Sequence, residues 1–509
     1  MRLAAPLLAA ALLVIGNGPA AALADLPAAP AAAPSSAAAP SSAAAASSAA
    51  PATATAPTAP ASPTAALPAP ALRAAGSAAA ATIEPRHPLI VVTFANMPSQ
   101  SAGRAGTTAH HYTGAGYLLA QSAHKQAQRV AAAYSLREVA NWPIRTLSVH
   151  CVVYEVPDDR PLDTILTALA KDPQISLAQP LQQFHTLTQS SAASPAAAVA
   201  SVAAASHVAA ASSAASTSSG TSPYNDPLYD LQTNLTSLGV PEAHQHSQGA
   251  GVRVALIDTG VDASHPDLRD RISGTHSFVG KPAASSAVYR HGTAMAGLIA
   301  ASANNRVGIV GVAPLASVEV FAACWQLRAN SDEAVCNTFT LAQALAAALD
   351  ARIPLVNLSI AGPADPLLTA LVEAGLKRGV IFIGAAAEEA DAFPTGIAGV
   401  IAVGSSEREL GRPAVTAPSV HVLTLRPQGQ YDFESGTSVA AAEVTGVVAL
   451  LLAADSHLTA DSAAALLKRT AGTGGQAMPA EALIGVNASA ALAGVDEQRS
   501  RRVASRTTR

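Results

Sequence analysis

The chain has 509 residues, a net charge of −4 and a pI near 6.4. That length allows two or three domains, and a slightly acidic chain with no long basic run in its folded part gives no reason to expect a nucleic-acid partner. Its three cysteines do not combine with histidines at zinc spacing, which excludes a zinc module.

Residues 1–24 read as a secretory signal: Arg2 supplies a positive start, Leu3 to Ile15 form an apolar run, and Ala22-Leu23-Ala24 is a small-residue cleavage site. The run is too short to span a bilayer, and no other stretch reaches that length. The mature chain is therefore expected to be soluble and exported, to the periplasm or beyond, with no stable membrane insertion. Residues 25–82 are almost entirely Ala, Pro and Ser, which predicts a disordered tether. The span 83–187 then reads strand (Leu89–Phe94), helix (Ala123–Ser135), two strands (Ala140–Leu147 and Val149–Val156), helix (Leu162–Lys171) and strand (Ile175–Phe184). That βαββαβ order predicts a small ferredoxin-like α+β domain. A second Ala/Ser tract, 188–222, lacks the bulky residues of a core and reads as a linker.

From 223 to 494 near-continuous apolar strands alternate with helical patterns, among them Val252–Ile257, Val318–Ala322, Leu341–Leu349, Leu355–Leu358, Val380–Ile383 and Val439–Ala453. The fold class this predicts is α/β: three layers, a mostly parallel sheet with helices on both faces. The basic end, 495–509, reads as a frayed, disordered tail. Cys324 and Cys336 stand close together in a polar loop, a spacing suited to a local disulfide. Cys151, in an apolar strand, reads as a packed thiol, and His244 and His246 as surface residues.

Three short segments carry chemistry. Val254 to Gly260 is an apolar strand that ends in Asp258; Arg290 to Gly297 is a small-residue helix opened by His291; and Glu434 to Ala442 starts a long apolar helix with Ser438 at its mouth. A serine hydroxyl is a weak nucleophile until an imidazole takes its proton, and a buried carboxylate must orient that imidazole. At a helix N-terminus, Ser438 also lies where backbone N–H groups favour negative charge.

These segments, "IDTGVDASHPDL" (257–268), "HGTAMAG" (291–297) and "SGTSVAAA" (435–442), resemble the catalytic motifs of the subtilisin-like serine peptidases. "ANNRVGIVGVAP" (303–314), "VNLSIAG" (356–362) and "GVIAVGS" (399–405) resemble further family segments in the expected order. The resemblance implies Asp258 as orienting acid, His291 as general base and then acid, and Ser438 as nucleophile of an exported endopeptidase made as a precursor. It implies that Ser359, Ile360 and Ala361 pair with an extended peptide or protein substrate. It also implies that the 83–187 domain is the family's propeptide, an intramolecular chaperone and inhibitor. Asp267 and Asn305, with the carbonyls of Val307 and Ile309, resemble a family calcium loop; that implies a structural calcium ion, with no cofactor required for the chemistry.

The chain departs from the family at one telling place. "IFIGAAAEE" (381–389) puts Glu388 where the family has an Asn that donates to the oxyanion. An ionised Glu cannot donate, and loss of one such donor costs on the order of 10²–10³ in turnover. Three readings follow: a buried, neutral Glu388 that donates; a Glu388 turned to solvent on a weaker peptidase; or an impaired, single-turnover protein that binds peptides. Acyl transfer to an amine on the same triad is a further alternative. Milder departures are Ala294, in place of a second family His, and Glu443, where a Pro often follows the serine motif.

Overall fold

The computed structural model describes residues 87–96, 121–157, 160–188, 222–279, 289–326, 331–408, 413–471 and 485–507. The expected signal segment 1–24, the 25–82 tract and 189–221 of the linker lie outside them.

The N-terminal part carries β1 (Leu89–Ala95), α1 (Gln121–Tyr134), β2 (Arg137–Ile144), β3 (Val149–Glu155), α2 (Leu162–Leu169) and β4 (Leu177–Pro180). Its sheet has the order β2-β3-β1-β4 with antiparallel neighbours. Alternation along the strands gives it two apolar faces. Ile90, Val92 and Phe94 of β1, with Val152 and Tyr154 of β3, pack beneath α1 and α2. Val91, Cys151 and Val153 point the other way, into a core shared with Phe339, Leu341 and Leu345. Trp142 meets Phe339 edge-on, ring centroids 4.7 Å apart. Cys151 is buried and free, its thiol pushed well up by burial.

The predicted strand Ile175–Phe184 is two strands. β4 ends at Pro180, which has no N–H to extend the ladder. The chain crosses over, Gln182 N donating to Thr338 Oγ1, and enters a different sheet as β5 (Gln183–Thr186). Just before the crossing, Gln179 Nε2 donates to Asp365 Oδ2 at 2.7 Å, and its Oε1 accepts from Leu367 N.

The C-terminal part is built on a seven-stranded parallel sheet. Its strands are β6 (Arg253–Asp258), β7 (Ile272–Ser277), β8 (Ser317–Ala322), β11 (Leu355–Leu358), β13 (Ile381–Ala385), β14 (Ile401–Ser405) and β15 (Val415–Ala417), in the order β15-β14-β13-β11-β6-β8-β7. One layer of helices holds α3 (Arg290–Ala300) and α6 (Thr437–Ala454); the other holds α4 (Thr338–Asp350) and α5 (Pro366–Lys377). Each central strand serves both layers. Val254 and Leu256 of β6 face the α3/α6 side, whereas Ala255 and Ile257 face α4 and α5. That explains why the strands read as unbroken apolar runs. α6 is long and apolar enough to cross a membrane, but it is buried within the fold.

The chain first builds one half beyond β6, laying β7 at the edge and then β8 between them, and returns to build the other half from β11. The carboxyl end of β6 therefore sits where the winding reverses, the place where open α/β sheets leave a crevice. A small antiparallel sheet flanks that crevice, in the order β12-β5-β10-β9, with β9 (Trp325–Gln326), β10 (Ala334–Asn337) and β12 (Ile360–Ala361). A hairpin of β16 (Val422–Arg426) and β17 (Gln430–Glu434) leads into α6.

Three expectations need correction. Cys324 and Cys336 do form a disulfide, but both are buried, Cys336 within β10, where β9 and β10 pair antiparallel. The 495–509 end is not a frayed tail through its length: a helix, α8 (Ala488–Thr507), continues through it after α7 (Ala460–Thr470), and Val495 is buried. His244 is not a free surface residue, since it bonds Tyr224 Oη at 2.7 Å and the Val312 carbonyl at 2.9 Å.

Candidate active site

Asp258 ends β6 with its side chain fully buried. His291 Nδ1 lies 2.7 and 2.9 Å from its two carboxylate oxygens, and Thr259 N donates to Oδ1 at 2.6 Å. Such a carboxylate fixes both the tautomer and the tilt of the ring. His291 is the second residue of α3, and the next residue explains how the helix approaches so closely. A Cβ on Gly292 would stand 2.5 Å from the Gly260 carbonyl, so only glycine fits. Burial lowers the basicity of the His291 imidazole, but the charge and hydrogen bond of Asp258, then Glu434 and Asp332, outweigh it and leave it raised.

Ser438 is the second residue of α6. Its Oγ donates to the Ser359 carbonyl at 2.9 Å and accepts from Leu187 N at 3.0 Å. His291 Nε2, buried, has no hydrogen-bond partner among the described residues. The structure thus joins Asp258 to His291, while the Ser438 hydroxyl is engaged with Ser359 and Leu187 rather than with the imidazole. Catalytic hydrogen bonds are often unmade before the reacting complex forms.

The crevice is filled by the chain itself. β5 lies antiparallel between β12 (Ile360 opposite Thr186, Ala361 opposite His185) and β10 (Val335 opposite His185, Cys336 opposite Phe184). Ser359, Ile360 and Ala361 are therefore at the strand edge where the sequence expects a peptide. Phe184 is fully buried and meets Phe393 edge-on at 5.4 Å. Leu187 follows, its carbonyl 3.5 Å from Ser438 N. A Cβ on Gly436 (φ +137°) would come within 2.1 Å of that oxygen, so this glycine makes room for it.

Glu388 lies past the end of β13, exposed, at a cavity of about 400 Å³ shared with Leu187, Glu389, Gly436 and Thr437. The burial that the neutral-donor reading requires is absent. Thr437 Oγ1 donates to the Ala386 carbonyl, one turn of chain before it.

The calcium loop does not fit a cation as arranged. Asp267 Oδ1 accepts from Asn305 Nδ2, and Oδ2 accepts from Ile309 N and Tyr431 Oη. Donors converge where a cation would need lone pairs. Burial pushes this carboxyl up to about 6.

Sequence reading missed β5 as an occupant of the crevice; the available signal was Pro180 followed by the alternating run Gln183 to Leu187. It also missed Asp332, Arg426 and Glu434, charged residues beside His291 for which no motif exists.

Residues 249–494 match the subtilase family, peptidase S8. The major intracellular serine protease of Bacillus subtilis (strain 168) is 34% identical over 227 residues, 40% of this chain and 69% of that protein. Thermitase of Thermoactinomyces vulgaris is 29% identical over 261 residues, 48% of this chain and 91% of thermitase. The crystal structure of fervidolysin from Fervidobacterium pennivorans, a keratinolytic enzyme, superposes with a TM-score of 0.57 at 21% identity, covering 80% of this chain and 61% of that one. At that identity the likeness is one of fold.

Proposed function

The chain belongs to the subtilase family of serine endopeptidases, and from that premise we propose that it is an exported precursor that cuts itself between Leu187 and Thr188 and then hydrolyses other peptides. Ser438 Oγ swings from the Ser359 carbonyl to His291 Nε2, gives up its proton there and attacks the Leu187 carbonyl carbon. The carbonyl oxygen, now negative, is received by Ser438 N. Asp258 keeps the ring oriented and supports the imidazolium. His291 then returns the proton to the leaving Thr188 nitrogen, and water, deprotonated by the same imidazole, releases the acyl group. The N-terminal domain is read as a propeptide that stays docked as an inhibitor until it leaves.

One observation carries this reading: a strand of the same chain, paired on both sides, ends with Leu187 N 3.0 Å from Ser438 Oγ. It also suggests a substrate class, peptides with an aromatic residue four places before the cut and a leucine directly before it.

A second reading is single turnover with the product strand retained. It is favoured by Glu388, which brings an exposed carboxylate rather than an amide donor to the oxyanion side. A serine-reactive phosphonate separates the two. The peptidase reading predicts stoichiometric labelling of Ser438 that is lost in His291→Ala. Absence of labelling in the processed parent would contradict it.

A further inference from the structure

Beside the triad lies a knot of buried charge that the mechanism above leaves unused. Arg426, at the end of β16, has a side chain 7% exposed, and that of Glu434, at the end of β17, is 2% exposed. Arg426 Nη1 meets Glu434 Oε1 at 2.6 Å and also pairs closely with Asp332 Oδ1, while its Nη2 lies 3.6 Å from Asp432. Asp332 in turn accepts from Arg290 Nε at 2.8 Å. Every end of this knot adjoins a reacting part. Arg290 precedes His291, Glu434 stands on the turn that leads to Ser438, and the Asp332 carbonyl accepts from Thr188 Oγ1 at 3.3 Å. Docking of the hairpin onto α3 does not need these charges. Thr424 Oγ1 already donates to the Ala294 carbonyl, and Leu425 already packs so close to Gly297 that a Cβ there would stand 2.4 Å away. Charges buried at such cost call for another reason.

We propose that Asp332, gripped by Arg290 and Arg426 and seconded by Glu434, is a positioning residue for His291: it fixes the first turn of α3 and sets negative charge where the imidazolium forms. The inference rests on the reading of His291 as general base. The charged groups that act on the imidazole are Asp258 from β6, Glu434 from β17 and Asp332 from the turn before β10, and the two acids of the knot are held in turn by Arg290 from the same helix and Arg426 from β16. Burial raises the Asp332 carboxyl, but Arg426 and Arg290 overcome it and hold the group lowered and ionised. Burial pushes Glu434 up to about 7, against the pull of Arg426, so its support is partial near neutrality.

The test is a proton NMR titration of the His291 Nδ1–H resonance in the full chain, assigned by its loss in His291→Ala. Asp332→Asn keeps the shape and removes the charge; it should lower the midpoint by about half a pH unit. Glu434→Gln should move it the same way, and Asp332→Glu should restore most of the parent value. The proposal is overturned if Asp332→Asn titrates within about 0.1 unit of the parent, or if the Asn and Glu variants lower the midpoint equally, which is what a purely structural role predicts. Should Asp332→Asn not fold, Glu434→Gln against Glu434→Asp makes the same comparison. If the parent's midpoint bears no relation to the acidic limb of its turnover, the general-base reading fails instead.

Discussion

Truncating Phe184 to alanine tests whether β5 is the inhibitory strand. The ring is fully buried, lies edge-on to Phe393 at 72°, and packs so tightly over Gly362 that a Cβ there would stand 2.4 Å from it. Phe→Ala changes in well-packed sites cost ~3–5 kcal/mol, with about 1 kcal/mol from an edge-on ring pair. The crevice opens to water once β5 leaves, so the lower end applies: ~3 kcal/mol, or about 10²-fold in affinity. The assay is initial peptide hydrolysis by the processed protein across a dilution series, since dilution frees the crevice only as the N-terminal part dissociates. Phe184→Ala should raise the concentration of half-maximal specific activity about 100-fold. Trp142→Ala, which loosens the docked sheet away from the crevice, should act in the same direction. A midpoint for Phe184→Ala within about threefold of the parent would refute the reasoning, because a side chain so seated cannot be neutral to a strand that blocks the site.

Glu388→Asn restores an amide donor at an exposed position, and peptide turnover should rise by about 10²-fold in a steady-state assay; a fall would mean that the carboxyl itself donates. Glu443 is fully buried, its Oε1 held by Asn234 Nδ2 at 2.7 Å and its Oε2 without a partner among the described residues, so burial raises its carboxyl well above the ordinary value near 4.5. A raised acid gives its full stability below the unfolded value and loses it as pH rises, at most about 1.4 kcal/mol per pH unit. Calorimetry at pH 5 and pH 8 should therefore show Glu443→Gln gaining over the parent only at the higher pH. Because hydrogen-bond donors already occupy both oxygens of Asp267, chelator and millimolar calcium should leave the melting temperature unchanged; a rise of several degrees with calcium would show that the loop rearranges to bind it.

Much of the fold was readable because burial on both sheet faces leaves a plain mark. β13 is apolar at every position and β6 is so from Val254 to Ile257, whereas β8, next to the edge strand, carries Glu319 in its run. Asp258, His291 and Ser438 stood out because each interrupts such a run at a strand or helix end. What stayed hidden depends on long-range partners. Nothing local tells β4 from β5, since both read as extended; Pro180 ends one ladder, and β10 and β12 supply the next. The disulfide was legible as a pair but misplaced, because its burial goes with the antiparallel pairing of β9 and β10. Arg426 and Glu434 alternate with apolar neighbours as solvent-facing charges do, and only Asp332, about a hundred residues earlier in the chain, makes them a buried knot. Glu388 was legible as a departure, but its exposure depends on how the chain turns after β13.

The most direct measurement is the intact mass and N-terminal sequence of the protein after expression, beside its Ser438→Ala variant. The account predicts a processed parent whose new N-terminus is Thr188 and a variant that stays joined at Leu187–Thr188. A parent cut elsewhere, or a Ser438→Ala chain cut at the same bond, would contradict it.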